Sequence, residues 1–247
     1  MRRDLVETNN NQLYLSIIVP AYNEEKKIGK DLEMIYGYFN TQKYTFEVIV
    51  VNDGSKDNTV QKVEEFKKNN PNVKLISYQL NQGKGHAVKT GVLESKGKYV
   101  FFVDAGYCVP FKEIEKGINT LNEGNHIALG SRHLKESNIV VKQPYYRTLA
   151  GRIFNKIVKI FIGLHGIKDT QCGFKLFEGS CARDLFKRQK IKGFTFDTEI
   201  LVYAKKLGYK IKEFPVQWAC DMDTKLKPWS HTLKIIMEII KIRFSKP

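Results

Sequence analysis

An α/β fold, with a mostly parallel sheet flanked by helices, is predicted by three observations. Short apolar runs rich in Val, Ile and Phe alternate with segments whose apolar residues recur at helical spacing. The connections between them are short, as crossover helices between parallel strands require. Finally, polar blocks sit where the apolar runs end: Ser16 to Glu24, Val50 to Ser55, Asn81 to Gly85 and Phe102 to Gly106. In a parallel sheet, residues after the strands share one crevice at the carboxyl edge, where ligands bind.

Leu15–Val19 reads as the first strand, ended by Pro20, and Glu24–Phe39 as a helix with Ile28, Leu32, Ile35 and Phe39 on one face. Phe46–Val51 is the second strand. Asp57 is placed to cap a helix over Asn58–Lys68, which stops near Asn69-Asn70-Pro71. Val73–Tyr78, a helix over Gly85–Glu94, and Tyr99–Val103 continue the alternation, and His126–Leu129 reads as another strand. The second half is less regular. It offers a helix over Arg152–Ile162, a strand over Phe174–Phe177, a helix over Thr198–Leu207 closed by Gly208, and an extended segment over Ile211–Trp218. A final amphipathic helix over Leu233–Phe244 carries a narrow polar stripe of Lys234, Glu238, Lys241 and Ser245.

With 247 residues and 42% apolar composition the chain can bury a substantial core. No linker-like stretch divides it, so one domain over 1–247 is expected, with halves 1–125 and 126–247. The net charge of +15 is unevenly placed. Residues 1–125 carry 17 Lys+Arg against 16 Asp+Glu; residues 126–247 carry 24 against 10. The second half therefore suits an anionic partner such as a phosphate or a membrane surface, or simply wears a solvated lysine-rich face. It holds no recognisable nucleic-acid module, and no nucleic-acid partner is expected. The four cysteines form no C-x-x-C pair, which favours reduced thiols in a cytoplasmic setting. No secretory signal and no spanning run are apparent, so membrane contact is expected to be peripheral, on the cytoplasmic face.

Read singly, the polar blocks are open to two interpretations. Tyr22, Asn23 and Glu24 suit a flat heterocycle with hydroxyls, or a Pro-ended turn with a helix start. Asp53-Gly54 is a common turn pair. Gly83-Lys84-Gly85 opens a helix, whose N-terminus favours anions. Arg132 and Arg147 have the forked guanidinium that binds phosphate in bidentate fashion, or are surface arginines. Asp197 and Glu199 would share a face in extended chain and separate at a helix start.

Taken together, these blocks resemble the family-2 inverting glycosyltransferases with a GT-A, Rossmann-like fold. The resemblance sharpens in Gly130-Ser131-Arg132, Tyr146-Arg147-Thr148, Gly166 to Phe177, Phe196 to Glu199 and Val216-Gln217-Trp218. It points to the polyprenyl-phosphate branch, and within it to the β-glucosyltransferases that use dolichyl phosphate. The resemblance implies that Pro20, Tyr22, Glu24 and Asp53 line the base and ribose of a UDP-sugar, most often UDP-glucose. Lys84 and Gln171 would lie near the diphosphate and sugar. Asp104 would hold Mg²⁺ or Mn²⁺, Arg132 and Arg147 the polyprenyl or dolichyl phosphate, and Asp197 would take the catalytic acid's place. The C-terminal amphipathic helices would rest on the membrane surface.

Two departures stand out. Asn52 replaces the first acid of the usual Asp-Asp-Gly-Ser, and Gly106 replaces the second acid of Asp-x-Asp. Gly106 leaves three alternatives: a cation held by Asp104 with diphosphate and water, another acid in its place, or a catalytically impaired relative that binds nucleotide sugar as a scaffold.

Overall fold

Seven strands form the central sheet, in the order β3-β2-β1-β4-β7-β5-β8. They are β1 (Leu15–Ala21), β2 (Phe46–Asp53), β3 (Val73–Tyr78), β4 (Tyr99–Val103), β5 (Ile127–Ser131), β7 (Phe174–Glu178) and β8 (Ile211–Pro215). The computed structural model describes residues 13–103, 106, 108–141, 151, 153, 156, 159–219 and 228–247. β1, β2, β3 and β4 run parallel, as do β5 and β8. Only β7 is antiparallel to its neighbours in this sheet, and it joins β4 to β5. β6 (Asn138–Val141) and β9 (Gln217–Ala219) form a separate parallel pair.

The helices are α1 (Ile28–Phe39), α2 (Thr59–Lys68), α3 (Lys84–Glu94), α4 (Ile114–Asn122), α5 (Gly179–Arg188), α6 (Phe196–Lys206) and α7 (Pro228–Phe244). Positions 151, 153, 156 and 159–162 are helical as well. Strand side chains alternate between faces. Leu15, Ile17 and Val19 pack on one side with Ile28, Leu32 and Phe39 of α1 and Ile118 of α4. Ile18 faces the other side, with Val88 of α3, Leu185 of α5, Leu201 of α6 and Ile242 of α7. Burial on both faces explains why the central strands read as continuous apolar runs.

Several boundaries move for local reasons. α1 starts at Ile28, because residues 24–27 form a turn whose Glu24 carbonyl accepts from Lys27 and Ile28. The extended segment from 211 splits at Val216 into β8 and β9, which belong to different sheets. α7 begins at Pro228, five residues before the apolar pattern suggests. α4 and α5 are not anticipated from the sequence.

Candidate active site

The carboxyl ends of β1, β2, β4 and β5 share one edge with the N-termini of α3 and α6 and the loop that enters β7. Each contributes side chains there. The loops after β1 and β2 are laced together. Asn23 N–H donates to Ser55 Oγ at 2.8 Å, and Lys56 N–H donates to Asn23 Oδ1 at 2.8 Å. Glu24 N–H donates to Thr59 Oγ1 at 2.8 Å, and Glu25 N–H to Asp57 Oδ2 at 3.1 Å. Asn23 adopts φ 53°, a conformation Asn tolerates. Pro20 and Glu24 are half-buried, while Tyr22 stays 39% exposed at the rim. Asn52 uses both ends of its amide: Ser55 N–H donates to its oxygen at 3.2 Å, and its nitrogen donates to Ser77 Oγ at 2.9 Å. An aspartate in its place could only accept, so the Ser77 hydroxyl would have to turn and donate.

Asp53 is buried, and its carboxylate organises the loop before α3. Gln82 N–H donates to Oδ1 at 2.8 Å; Gly83 N–H and Asn81 Nδ2 donate to Oδ2, each at 2.9 Å. The structure thus shows Asp53 first as the clamp of the glycine loop, a role the sequence did not suggest. Gly83 has φ +105°, and a Cβ there would lie 2.5 Å from the Lys192 carbonyl oxygen. Its own carbonyl accepts from His86 and Ala87, which starts α3. Lys84, half-buried, occupies the first position of that helix. This end of α3 therefore offers N–H groups and a lysine to an anion.

On the opposite side, Asp169, fully buried, grips Arg132. Arg132 Nε donates to Oδ2 at 2.7 Å, Nη2 to Oδ1 at 2.8 Å, and the Arg132 N–H to Oδ2 at 3.0 Å. The guanidinium also stacks 5.4 Å from the Trp218 ring. Burial works against the Asp169 charge, but the hydrogen bonds and charge of Arg132 outweigh it and hold the carboxyl well below the usual range. Arg132 is thus not the free phosphate fork expected from the sequence: two of its five N–H groups serve Asp169. Trp218, 8% exposed, is the core aromatic that backs it. Glu213 of β8 anchors the same loop by accepting from Lys168 and Asp169 N–H groups, both at 2.8 Å.

The loop from Asp169 leads through Gln171, whose N–H donates to Asp169 Oδ1 at 3.2 Å, to buried Cys172. Burial pushes the Cys172 thiol up to about 11, so it is packing and not a nucleophile. The loop enters β7 at Phe174, and the next residue is Lys175, for which the sequence suggested no role. Its ammonium donates to Cys172 O at 2.6 Å and to Asp197 Oδ2 at 3.1 Å. Its signal was a lone lysine inside an apolar strand, Phe174 to Glu178. Asp197 and Glu199 separate because α6 starts at Phe196. Asp197 turns to Lys175, while Glu199 accepts from Lys190 N–H, Ile191 N–H and the Tyr203 hydroxyl.

Asp104 and Arg147 lie outside the described residues. Val103, just before Asp104, pairs with Phe174, so β4 ends against the loop that enters β7. Gly106 N–H donates to Asp31 Oδ2 at 3.1 Å. Among the described residues no three His, Cys, Asp or Glu side chains gather to hold a metal.

The glycine loop at a helix N-terminus, set against paired polar loops at a sheet edge, gives an α/β fold whose crevice suits an anion. Comparisons sharpen that class. The family model described as glycosyl transferase family 2 matches residues 16–188. A dolichyl-phosphate β-glucosyltransferase of Dictyostelium discoideum is 38% identical over 97% of this chain and 77% of its own. The Homo sapiens enzyme of that name is 34% identical over 93% and 74%. The crystal structure of glucosyl-3-phosphoglycerate synthase from Mycobacterium tuberculosis, with Mn²⁺, UDP and glucosyl-3-phosphoglycerate, superposes with a TM-score of 0.66 at 16% identity, covering 95% of this chain and 81% of that one. The fold is GT-A, and the chain belongs to glycosyl transferase family 2. It is a glycosyltransferase.

Proposed function

We propose that the protein transfers glucose from UDP-glucose to dolichyl phosphate or a related polyprenyl phosphate. The observation that carries this reading is the 38% identity across almost the whole chain to a dolichyl-phosphate β-glucosyltransferase. The site fits it. Uridine would lie across the laced loops with Pro20, Tyr22, Glu24 and Asp53, and the diphosphate over the start of α3 beside Lys84 and Gln171. A phosphate oxygen of the acceptor attacks the anomeric carbon from the face opposite UDP. The new C–O bond forms as the bond to the β-phosphate oxygen breaks, the configuration inverts, and UDP leaves with the electron pair. The N–H groups and Lys84 at α3 meet the charge that develops there, the kind of stabilisation that lowers such barriers most. No proton need be removed, because a phosphate monoester has its second pKa at about 6. Arg132, held by Asp169, would turn its remaining N–H groups to the acceptor, with Arg147.

A divalent cation suits the carboxylate and phosphate oxygens of this chemistry. Asp104 would hold it together with the diphosphate; Gly106 offers no side chain, and its N–H is committed to Asp31. When bound, Mg²⁺ or Mn²⁺ would neutralise the diphosphate. The relatives' activity disfavours the scaffold alternative.

The test is transfer of labelled glucose from UDP-glucose into the organic phase with a short polyprenyl phosphate. Lys84→Ala is expected to lower turnover on the order of 100-fold with an unchanged melting temperature. Absence of label transfer by the unaltered protein would overturn the reading.

Such an acceptor would bring the enzyme to a membrane surface, and α7 supports this. Its polar stripe is not wholly outward: Glu238 turns in and accepts from the Thr195 hydroxyl, while Ile236, Met237, Ile240 and Phe244 are exposed beside Lys241 and Arg243. Ile160 and Phe161 are exposed likewise. No helix among the described residues is long and apolar enough to cross a membrane. A peripheral position on the cytoplasmic face, apolar side chains in the interface and basic ones near anionic headgroups, fits this surface. The protein is expected to sediment with vesicles of phosphatidylcholine and phosphatidylserine at low salt. Combined Ile236→Ser, Met237→Ser and Ile240→Ser is expected to abolish most of that binding; equal sedimentation would refute the assignment of α7.

A further inference from the structure

The ion pair of Lys175 and Asp197 is built in a way that a general base would not need. Lys175 lies on β7, the antiparallel strand, and its side chain is 1% exposed. The ammonium reaches only inward groups among the described residues: Cys172 O, Asp197 Oδ2 and the face of Phe102, 5.4 Å from the ring centre. Asp197 keeps 11% exposure, so its carboxylate is the part of the pair nearer the crevice. Both its oxygens are engaged, Oδ2 by Lys175 and Oδ1 by the Thr198 N–H at 2.8 Å. The first turn of α6 adds the positive end of a helix.

An acceptor hydroxyl has to give up its proton to a base. An acceptor phosphate oxygen is already anionic, and what it needs is a site without net negative charge. A lone carboxylate beside it would repel it, strongly so away from bulk water.

We propose that Lys175 is a positioning and specificity-determining residue, which cancels and fixes the Asp197 carboxylate so that the acceptor side admits a phosphate oxygen in place of a hydroxyl. The inference rests on the phosphate-acceptor reading above. It makes Asp197 a neutralised wall of the acceptor site and gives the buried lysine its purpose.

The test measures binding of farnesyl phosphate to the full chain, with UDP present, by calorimetry. Removing the two charges one at a time should move affinity in opposite directions. Lys175→Met is expected to weaken binding about tenfold or more, and Asp197→Asn to tighten it about threefold, since each leaves one uncompensated charge of opposite sign. Lys175→Met with Asp197→Asn should bind within about threefold of the unaltered protein, because neither charge remains. A merely structural pair would weaken binding in both single variants alike, and that outcome overturns the proposal. So does a double variant as weak as Lys175→Met. If Lys175→Met does not fold, Asp197→Asn and the double variant decide the matter by the same criteria. The opposite shifts, found in a protein that transfers no glucose, would sink the transfer reading and leave the role of Lys175 standing.

Discussion

Asp169→Asn is expected to destabilise the protein by about 3–5 kcal/mol, the usual cost of breaking a buried ion pair by removing one partner. The carboxylate is fully buried and accepts the Arg132 N–H, Nε and Nη2 as well as the Gln171 N–H. An amide in its place presents an NH₂ group to at least one of these donors. It also leaves the guanidinium against Trp218 with no counter-charge. For a chain of this size that loss corresponds to a fall in Tm on the order of 10 °C. Arg132→Ala is expected to act similarly by stranding Asp169, so lost activity in that variant would not by itself report on acceptor contact. Replacing both, as Arg132→Met with Asp169→Leu, should cost less than either alone, because no charge is left uncompensated.

The same pair sets an acid limit. The folded-state pKa of Asp169 is depressed below the ordinary aspartate value of about 3.9. Its contribution to stability is therefore present above that pH and is lost as pH falls toward the folded-state value. The stability gap between the unaltered protein and Asp169→Asn should narrow steadily below pH of about 4. Urea denaturation at several pH values checks this; a gap that persists unchanged into acid would refute the electrostatic account.

Gly83→Ala is expected to lower kcat/KM for UDP-glucose on the order of 100-fold, the cost of misplacing a binding loop by about 1 Å. Two effects combine. An alanine at φ +105° is strained by about 1–3 kcal/mol. Its Cβ would also meet the Lys192 carbonyl oxygen at 2.5 Å, and backbone cannot swing aside as a side chain can. The loop must move, and with it the turn at Gln82 and Gly83 held by Asp53 and the N–H groups that open α3. Gly124→Ala is the control. It has φ +87° but nothing within 4 Å of the added carbon, so it should lose stability by strain alone and keep its activity. Equal kinetics for the two variants would remove the glycine loop from the donor site.

Much of the fold is legible because burial on both faces leaves its mark in sequence. Tyr99–Val103, buried along its whole length, matches its sequence assignment residue for residue, as does Val73–Tyr78, a part-exposed edge strand bounded by Asn-Pro-Asn and Asn-Gln-Gly turns. α4 and α5 are unassigned from the sequence although their buried residues recur at helical spacing: Ile114, Ile118 and Leu121 in one, Cys181, Ala182, Leu185 and Phe186 in the other. The candidate site is legible in its blocks and not in its pairings. Asn52 looks like a lost acid, yet it donates to Ser77 across the neighbouring strand, a partner 25 residues away. Lys175 looks like one more lysine of a basic half until β7 sets it beside Asp197, 22 residues on.

The sequence by itself determined the α/β class, the family and the edge at which the candidate site lies, because apolar periodicity and the blocks after strands are local properties of the chain. Tertiary structure alone decided which charges meet. The antiparallel insertion of β7 between β4 and β5 carries the loop of residues 169–175 across the sheet edge, so that Asp169 closes on Arg132 and Lys175 on Asp197. A buried charge has to find its counterpart wherever the fold brings one, and no spacing along the chain records that encounter.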